Sequence, residues 1–249
     1  MTYCVGILVR DGLVMIADTR TNAGVDNIAT YRKLHVFENS GERVVAVATS
    51  GNLSISQSAL SLLTDGLQNP DTGETETILN VSSMFKAAQL VGRAIRKLYE
   101  VDGAALERQG MSFDMMALLG GQIGEGKLRM FQIYSAGNFI ETTADTPFLQ
   151  IGEHKYGKPI LDRAITYDVD LYDALKIGLI SMDSTMRSNL GVGLPVDLLV
   201  LRRDARKAEI CYRIQEDEPY FHDLRERWST ALREAHQAIP QPPYVAAAE

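Results

Sequence analysis

Met1-Thr2-Tyr3-Cys4-Val5-Gly6-Ile7-Leu8-Val9-Arg10-Asp11-Gly12-Leu13-Val14-Met15-Ile16-Ala17-Asp18-Thr19-Arg20 opens the chain. Two apolar runs rich in β-branched residues flank Asp11-Gly12, a strong short-range hairpin signal. Such a hairpin makes Thr2 the first residue of an inner strand and brings Asp18 back beside it. Removal of Met1 would leave a threonine that carries an α-amine and a hydroxyl on one residue, the minimum equipment of an N-terminal nucleophile. On its own, Thr2 reads as an ordinary strand residue, and only further residues can favour the nucleophile.

Residues 18–30 are polar and contain Gly and Asn, which predicts a loop. Residues 33–37 and 44–49 flank Asn39-Ser40-Gly41-Glu42 and predict a second hairpin. A helix is expected over 53–67, with Asn52 or Ser50 as N-cap, and a longer one over 83–108. In the second, Ala87, Val91, Ala94, Ile95 and Leu98 form a stripe at helical spacing. Residues 69–77 between them read as a polar loop. Strands are expected at 113–119 and 128–134, joined by a Gly-rich turn over 120–126, and at 139–143. Helices follow at 154–166 and 172–186, the latter capped near Asp170. A strand pair at 196–202 and 208–214 and a helix over 219–236 complete the pattern, with Pro219 suited to a helix start.

Strands and helices thus come in blocks, not in the strict alternation of a doubly wound parallel sheet. The pattern predicts an α+β fold, with two antiparallel sheets stacked face to face between helix layers. One domain is expected over 1–239. Residues 240–249, with three prolines and a run of alanines, are expected to form an extended tail.

The 249 residues carry a formal charge of −7, and Lys and Arg are scattered, so no surface for nucleic acid or acidic membrane is expected. Cys4 and Cys211 lie far apart with no metal-ligand spacing, as suits a reduced compartment. The first apolar run is too short for a secretory core, and none approaches the roughly 18 residues that span a bilayer. A cytoplasmic protein is expected.

No G-x-S-x-G elbow, H-E-x-x-H, Walker A or helix-opening G-x-G-x-x-G is present. Gly191-Val192-Gly193-Leu194-Pro195 reads as a connector flexible enough to line a site. What remains is Thr2, Asp18, Arg20, Lys33 and Ser50-Gly51. A free α-amine, with a pKa of about 7.7–8.0, can take the proton of its own threonine hydroxyl near neutral pH. A nearby lysine keeps that amine neutral and stabilises the alkoxide, and an aspartate holds the lysine. A glycine N–H on a strand-to-helix turn can receive the oxyanion. This chemistry calls for no cofactor and no metal.

These residues resemble the proteasome β-subunit family of N-terminal nucleophile hydrolases: Ala17-Asp18-Thr19-Arg20, Lys33 after an extended loop, and Ala48-Thr49-Ser50-Gly51 leading into a helix. The opening Met1-Thr2-Tyr3-Cys4, the segment Asp18-Thr19-Arg20-Thr21-Asn22-Ala23-Gly24 and Gln150-Ile151-Gly152-Glu153-His154-Lys155-Tyr156-Gly157-Lys158-Pro159 are similar to its bacterial Anbu branch. The resemblance implies a four-layer αββα sandwich and a threonine peptidase cleaving amide bonds of peptides or unfolded segments. Thr2 would be the nucleophile, Asp18 would orient Lys33, and Gly51 would supply the oxyanion donor. Asp183 would support the N-terminus, with Ser188 the candidate for its serine partner. It also implies homo-oligomers, in the Anbu branch open lock-washer-like rings, and no dedicated unfoldase can be inferred. The spacing from Thr2 to Lys33 is one residue shorter than in most proteasomal subunits, which leaves Arg32 and Lys33 to be told apart by structure. Glu153 stands where a serine is typical. A largely noncatalytic binding or structural ring, or an amidase for a small or unusual peptide, are the alternatives. Loss of Lys33 is expected to abolish most turnover while leaving the fold intact.

Overall fold

The computed structural model describes residues 1–22 and 28–244. Ala23 and Gly24 of the family-like segment, and residues 245–249 of the expected tail, lie outside the described residues. The chain runs through β1 (Tyr3–Val9), β2 (Gly12–Asp18), β3 (Arg20–Asn22), β4 (Ile28–Thr30), β5 (Leu34–Asn39) and β6 (Arg43–Gly51) before its first helix, α1 (Leu53–Asp65). A small ribbon, β7 (Leu67–Gln68) and β8 (Thr75–Glu76), precedes α2 (Met84–Leu98). A π-helical turn, Tyr99–Gly103, continues into α3 (Ala104–Arg108). Then come β9 (Met115–Ile123), β10 (Arg129–Ile133), β11 (Phe139–Glu141), β12 (Phe148–Gly152), α4 (Lys158–Ala164) and α5 (Leu171–Ser188). The last elements are β13 (Val196–Arg202), β14 (Ile210–Ile214) and α6 (Pro219–Ala238).

Two five-stranded antiparallel sheets result, ordered β12-β1-β2-β13-β14 and β11-β10-β9-β6-β5. Side chains alternate along each strand, so each sheet has two distinct faces. Cys4, Leu13, Met15 and Ala17 of the first sheet meet Val44, Ala46, Ala48, Leu118 and Met130 of the second. The opposite faces are covered by helices. Tyr3, Val5, Ile7, Val14 and Ile16 pack on α4, α5 and α6, whereas Val45, Val47, Ala117 and Leu119 pack on α1 and α2. This is the four-layer αββα sandwich. Because both faces are covered, β1 and β2 are buried at every position and read as continuous apolar runs. Among the described residues no helix is long and apolar enough to cross a membrane.

Three differences from the sequence reading have physical causes. Gly120 and Gly121 lie not in the expected turn but in β9, paired to Ala46 and Val45 of β6 at the crowded middle of the sheet. The polar segment after Asp18 contains the short β3–β4 pair. Strand β12 was not anticipated at all, and it supplies the edge of the first sheet beside β1, with Tyr3 opposite Gly152.

Candidate active site

Period-two alternation along β1 sends Tyr3 toward the helices and Cys4 between the sheets. Thr2, one residue before the strand, lines a cleft of about 380 Å³ with Met1, Ser50, Gly51, Asp114, Met116, Gly152 and Glu153. Its carbonyl accepts the Glu153 N–H at 2.7 Å. Gly152 has φ +81°, and a Cβ there would lie far inside van der Waals contact of the Thr2 carbonyl oxygen. Gly152→Ala is therefore expected to cost about 1–3 kcal/mol in backbone strain and to displace Thr2 as well. Thermal unfolding measures the first effect, and the rate of covalent modification at Thr2 measures the second.

Asp18 ends β2, opposite Val196 of β13, and is fully buried. Its Oδ1 accepts the Tyr3 N–H at 3.0 Å and Lys33 Nζ at 2.8 Å, and its Oδ2 accepts the Gly193 N–H at 3.4 Å. Burial pushes the Asp18 carboxyl above the ordinary carboxylate range, against the opposing pull of the Lys33 ammonium and these hydrogen bonds. Lys33 is placed by its backbone carbonyl, which accepts the Thr49 N–H at 3.0 Å, so it enters beside the end of β6. Besides Asp18, its Nζ donates to the carbonyls of Arg20 (2.6 Å) and Met1 (3.4 Å). The Met1 carbonyl is bonded to the Thr2 nitrogen, which places that nitrogen within about 6 Å of the ammonium.

The structure separates the two candidate cations. The Arg32 side chain is 60% exposed and faces Asp197 at 3.7 Å, whereas that of Lys33 is 5% exposed. This depth revises the expectation that Lys33 is dispensable for folding, because removing one partner of a buried ion pair strands the other's charge.

Gly51 ends β6 with φ +100°, and Asn52 caps α1 by accepting the Ser54 N–H at 3.0 Å. The Asn52 N–H donates to Asp114 O at 2.7 Å, which fixes the turn against the start of β9. The positive end of α1 thus opens beside the cleft, where a developing oxyanion is favoured. Cys4, two residues after Thr2, is no rival nucleophile: burial holds its thiol well above the ordinary range.

Asp183 and Ser188 are not brought to Thr2. The two carboxylate oxygens of Asp183 accept from Arg225 Nε at 2.6 Å and Arg187 Nε at 3.1 Å, and Ser188 closes α5 with an exposed side chain. Neither lines the cleft. From the segment that follows α5, Asn189 reaches the cleft wall, where its Nδ2 donates to Glu153 Oε2 at 3.0 Å. Glu153 is also faced by the exposed Lys155 at 3.4 Å. Asn189 and the Gly193 N–H were missed in the sequence, where the only signal was a glycine-containing connector suited to lining a site.

No protein-family model matches the chain. The curated proteasome subunit beta 1 of Pyrobaculum aerophilum is 24% identical over 213 residues, 82% of this chain and 91% of that protein. A solved structure of Anbu, an ancestral β-subunit, from Yersinia bercovieri is 45% identical, with a TM-score of 0.88, over 98% of this chain and 100% of that one. The Anbu (Gly-1) mutant from Hyphomicrobium sp. strain MC1 is 46% identical, with a TM-score of 0.89, over 97% and 99% of the two chains. The structure described as the helical assembly of the Anbu complex from Pseudomonas aeruginosa is 46% identical, with a TM-score of 0.89, over 97% and 98%. Identity at this level over the whole length, on the same fold, shows that the chain belongs to the Anbu family of proteasome-related β-subunits.

Proposed function

We propose that the chain is a threonine peptidase or amidohydrolase whose nucleophile is Thr2, exposed by removal of Met1. The observation that carries this reading is the buried Lys33–Asp18 pair, with Lys33 reaching the carbonyl that precedes the Thr2 nitrogen. The α-amine of Thr2 takes the hydroxyl proton, directly or through a water, and Lys33 keeps that amine neutral and stabilises the alkoxide. Oγ attacks the substrate carbonyl, and the oxyanion is received at Gly51, at the positive end of α1. Collapse expels the amine and leaves an acyl ester on Thr2, which water hydrolyses. The substrate is a peptide or an unfolded segment. The protein acts in the cytoplasm, and it does so as a homo-oligomer by extension from the helical assembly of the Pseudomonas relative.

Glu153 distinguishes this cleft from one carrying a serine there, and it favours a second reading, an amidase for a small or unusual peptide. A chain that keeps Met1 would be noncatalytic, because its Thr2 nitrogen is then an amide.

The test compares peptide-amide hydrolysis by the chain lacking Met1 with that by a chain given a removable N-terminal extension. Activity is expected only without the extension, and it should return when the extension is cleaved off. Equal activity in the two forms would refute the N-terminal mechanism.

A further inference from the structure

The segment Gln150 to Pro159 stood out in the sequence, yet the proposed mechanism uses none of its side chains. In the fold it converges on Tyr3, the residue immediately after Thr2. Gln150 Nε2 donates to Tyr3 Oη. Tyr3 Oη and Ser181 Oγ are 2.7 Å apart, and Ser181 Oγ donates to Gly157 O at 3.0 Å. A carbonyl can only accept and an amide NH₂ can only donate, while each hydroxyl has a single proton. The direction of the whole chain is therefore fixed: Gln150 to Tyr3, Tyr3 to Ser181, Ser181 to Gly157. Tyr3 is fully buried, and its hydroxyl, pushed up to about 12 chiefly by burial, stays protonated as the chain requires. Gly157 closes the chain because any Cβ there would overlap both Ser181 Oγ and Tyr3 Oη.

We infer that Tyr3 is a positioning residue for Thr2, and that this hydrogen-bond chain from β12 through β1 to α5 and the start of α4 clamps the nucleophile's peptide in place. The inference rests on the hydrolase reading for its catalytic consequence. Its geometric basis is independent. Thr2 precedes the β1 ladder, so Tyr3 is the first paired residue behind it. The Tyr3 N–H shares Asp18 Oδ1 with Lys33 Nζ. A rotation of Tyr3 about its backbone would therefore carry the Thr2–Tyr3 peptide away from the ammonium that serves it.

The test uses two variants of the full chain. Tyr3→Phe removes the hydroxyl and leaves Gln150 without its acceptor. The triple variant Tyr3→Phe, Gln150→Leu, Ser181→Ala removes the polar partners together, which restores stability because no buried donor is orphaned. Hydrogen exchange by mass spectrometry follows the amides of residues 3–5 and 153. The inactivation rate and half-saturating concentration of a threonine-directed epoxyketone follow reactivity. In both variants faster exchange is expected at these amides. The maximal inactivation rate is expected to fall about tenfold to a hundredfold with half-saturation unchanged, even where the triple variant recovers the wild-type melting temperature. Unchanged exchange in Tyr3→Phe, or reactivity that returns together with melting temperature, would overturn the proposal. A wild-type chain that gives no adduct refutes the hydrolase reading, and the exchange result then decides the clamp alone.

Discussion

Thr2→Ala is expected to lower peptide-amide turnover by about a thousandfold or more, with melting temperature nearly unchanged. The substitution removes Oγ and a methyl from a side chain at the cleft wall. It leaves the contact that fixes the residue, the Thr2 carbonyl accepting from Glu153 N–H, intact. Alanine is also small enough for Met1 to be removed, so the α-amine and the Lys33–Asp18 pair survive while the nucleophilic atom does not. Thr2→Ser, which keeps the hydroxyl, is expected to retain much of the activity. Steady-state hydrolysis of a fluorogenic peptide amide reads both variants, and a Thr2→Ala protein with wild-type turnover would show that the nucleophile lies elsewhere.

Lys33→Met is expected to act on turnover and stability at once. Turnover should fall by about a hundredfold or more, because the alkoxide loses the charge that stabilises it. Stability should fall by about 3–5 kcal/mol near neutral pH, because a fully buried carboxylate is left unpaired. The stability deficit carries a definite pH dependence. Burial already holds the Asp18 carboxyl above its ordinary range, so the folded protein binds that proton more tightly than the unfolded chain. A raised pKa contributes stability that is fully present below the unfolded value and is lost as pH rises through the folded one. Without Lys33 nothing comparable opposes the rise, and the loss becomes larger. The deficit of Lys33→Met relative to wild type should therefore be small at about pH 5 and grow toward about pH 8. Denaturant unfolding at the two pH values measures it, and a deficit independent of pH would mean that Asp18 does not carry it.

The sandwich was legible in the sequence because its signals are local. Asp11-Gly12 marks the first hairpin, and the stripe through Ala87, Val91 and Ile95 marks α2. Strand β12 was not legible, because the short stretch Phe148–Gly152 becomes a strand only by pairing with β1 nearly 150 positions earlier. Gly120 and Gly121 misled for a related reason: glycines that signal a turn locally lie here inside a sheet. The candidate site divides in the same way. Thr2, Asp18, Lys33 and Gly51 could be named because each has its own chemistry at a strand end or turn. Asn189, Gly193 and the Tyr3 clamp draw their roles from partners that only the closed fold supplies. Asp183 illustrates the converse error, since an acidic residue at a suggestive position is held by Arg187 and Arg225 instead.

Intact mass with fragment mapping, after treatment with a threonine-directed epoxyketone, decides whether a freed Thr2 is the reacting group. A chain lacking Met1 is expected to gain one adduct, located on Thr2 and absent from Thr2→Ala. Removal of Met1 with no adduct, or an adduct on any other residue, would contradict it.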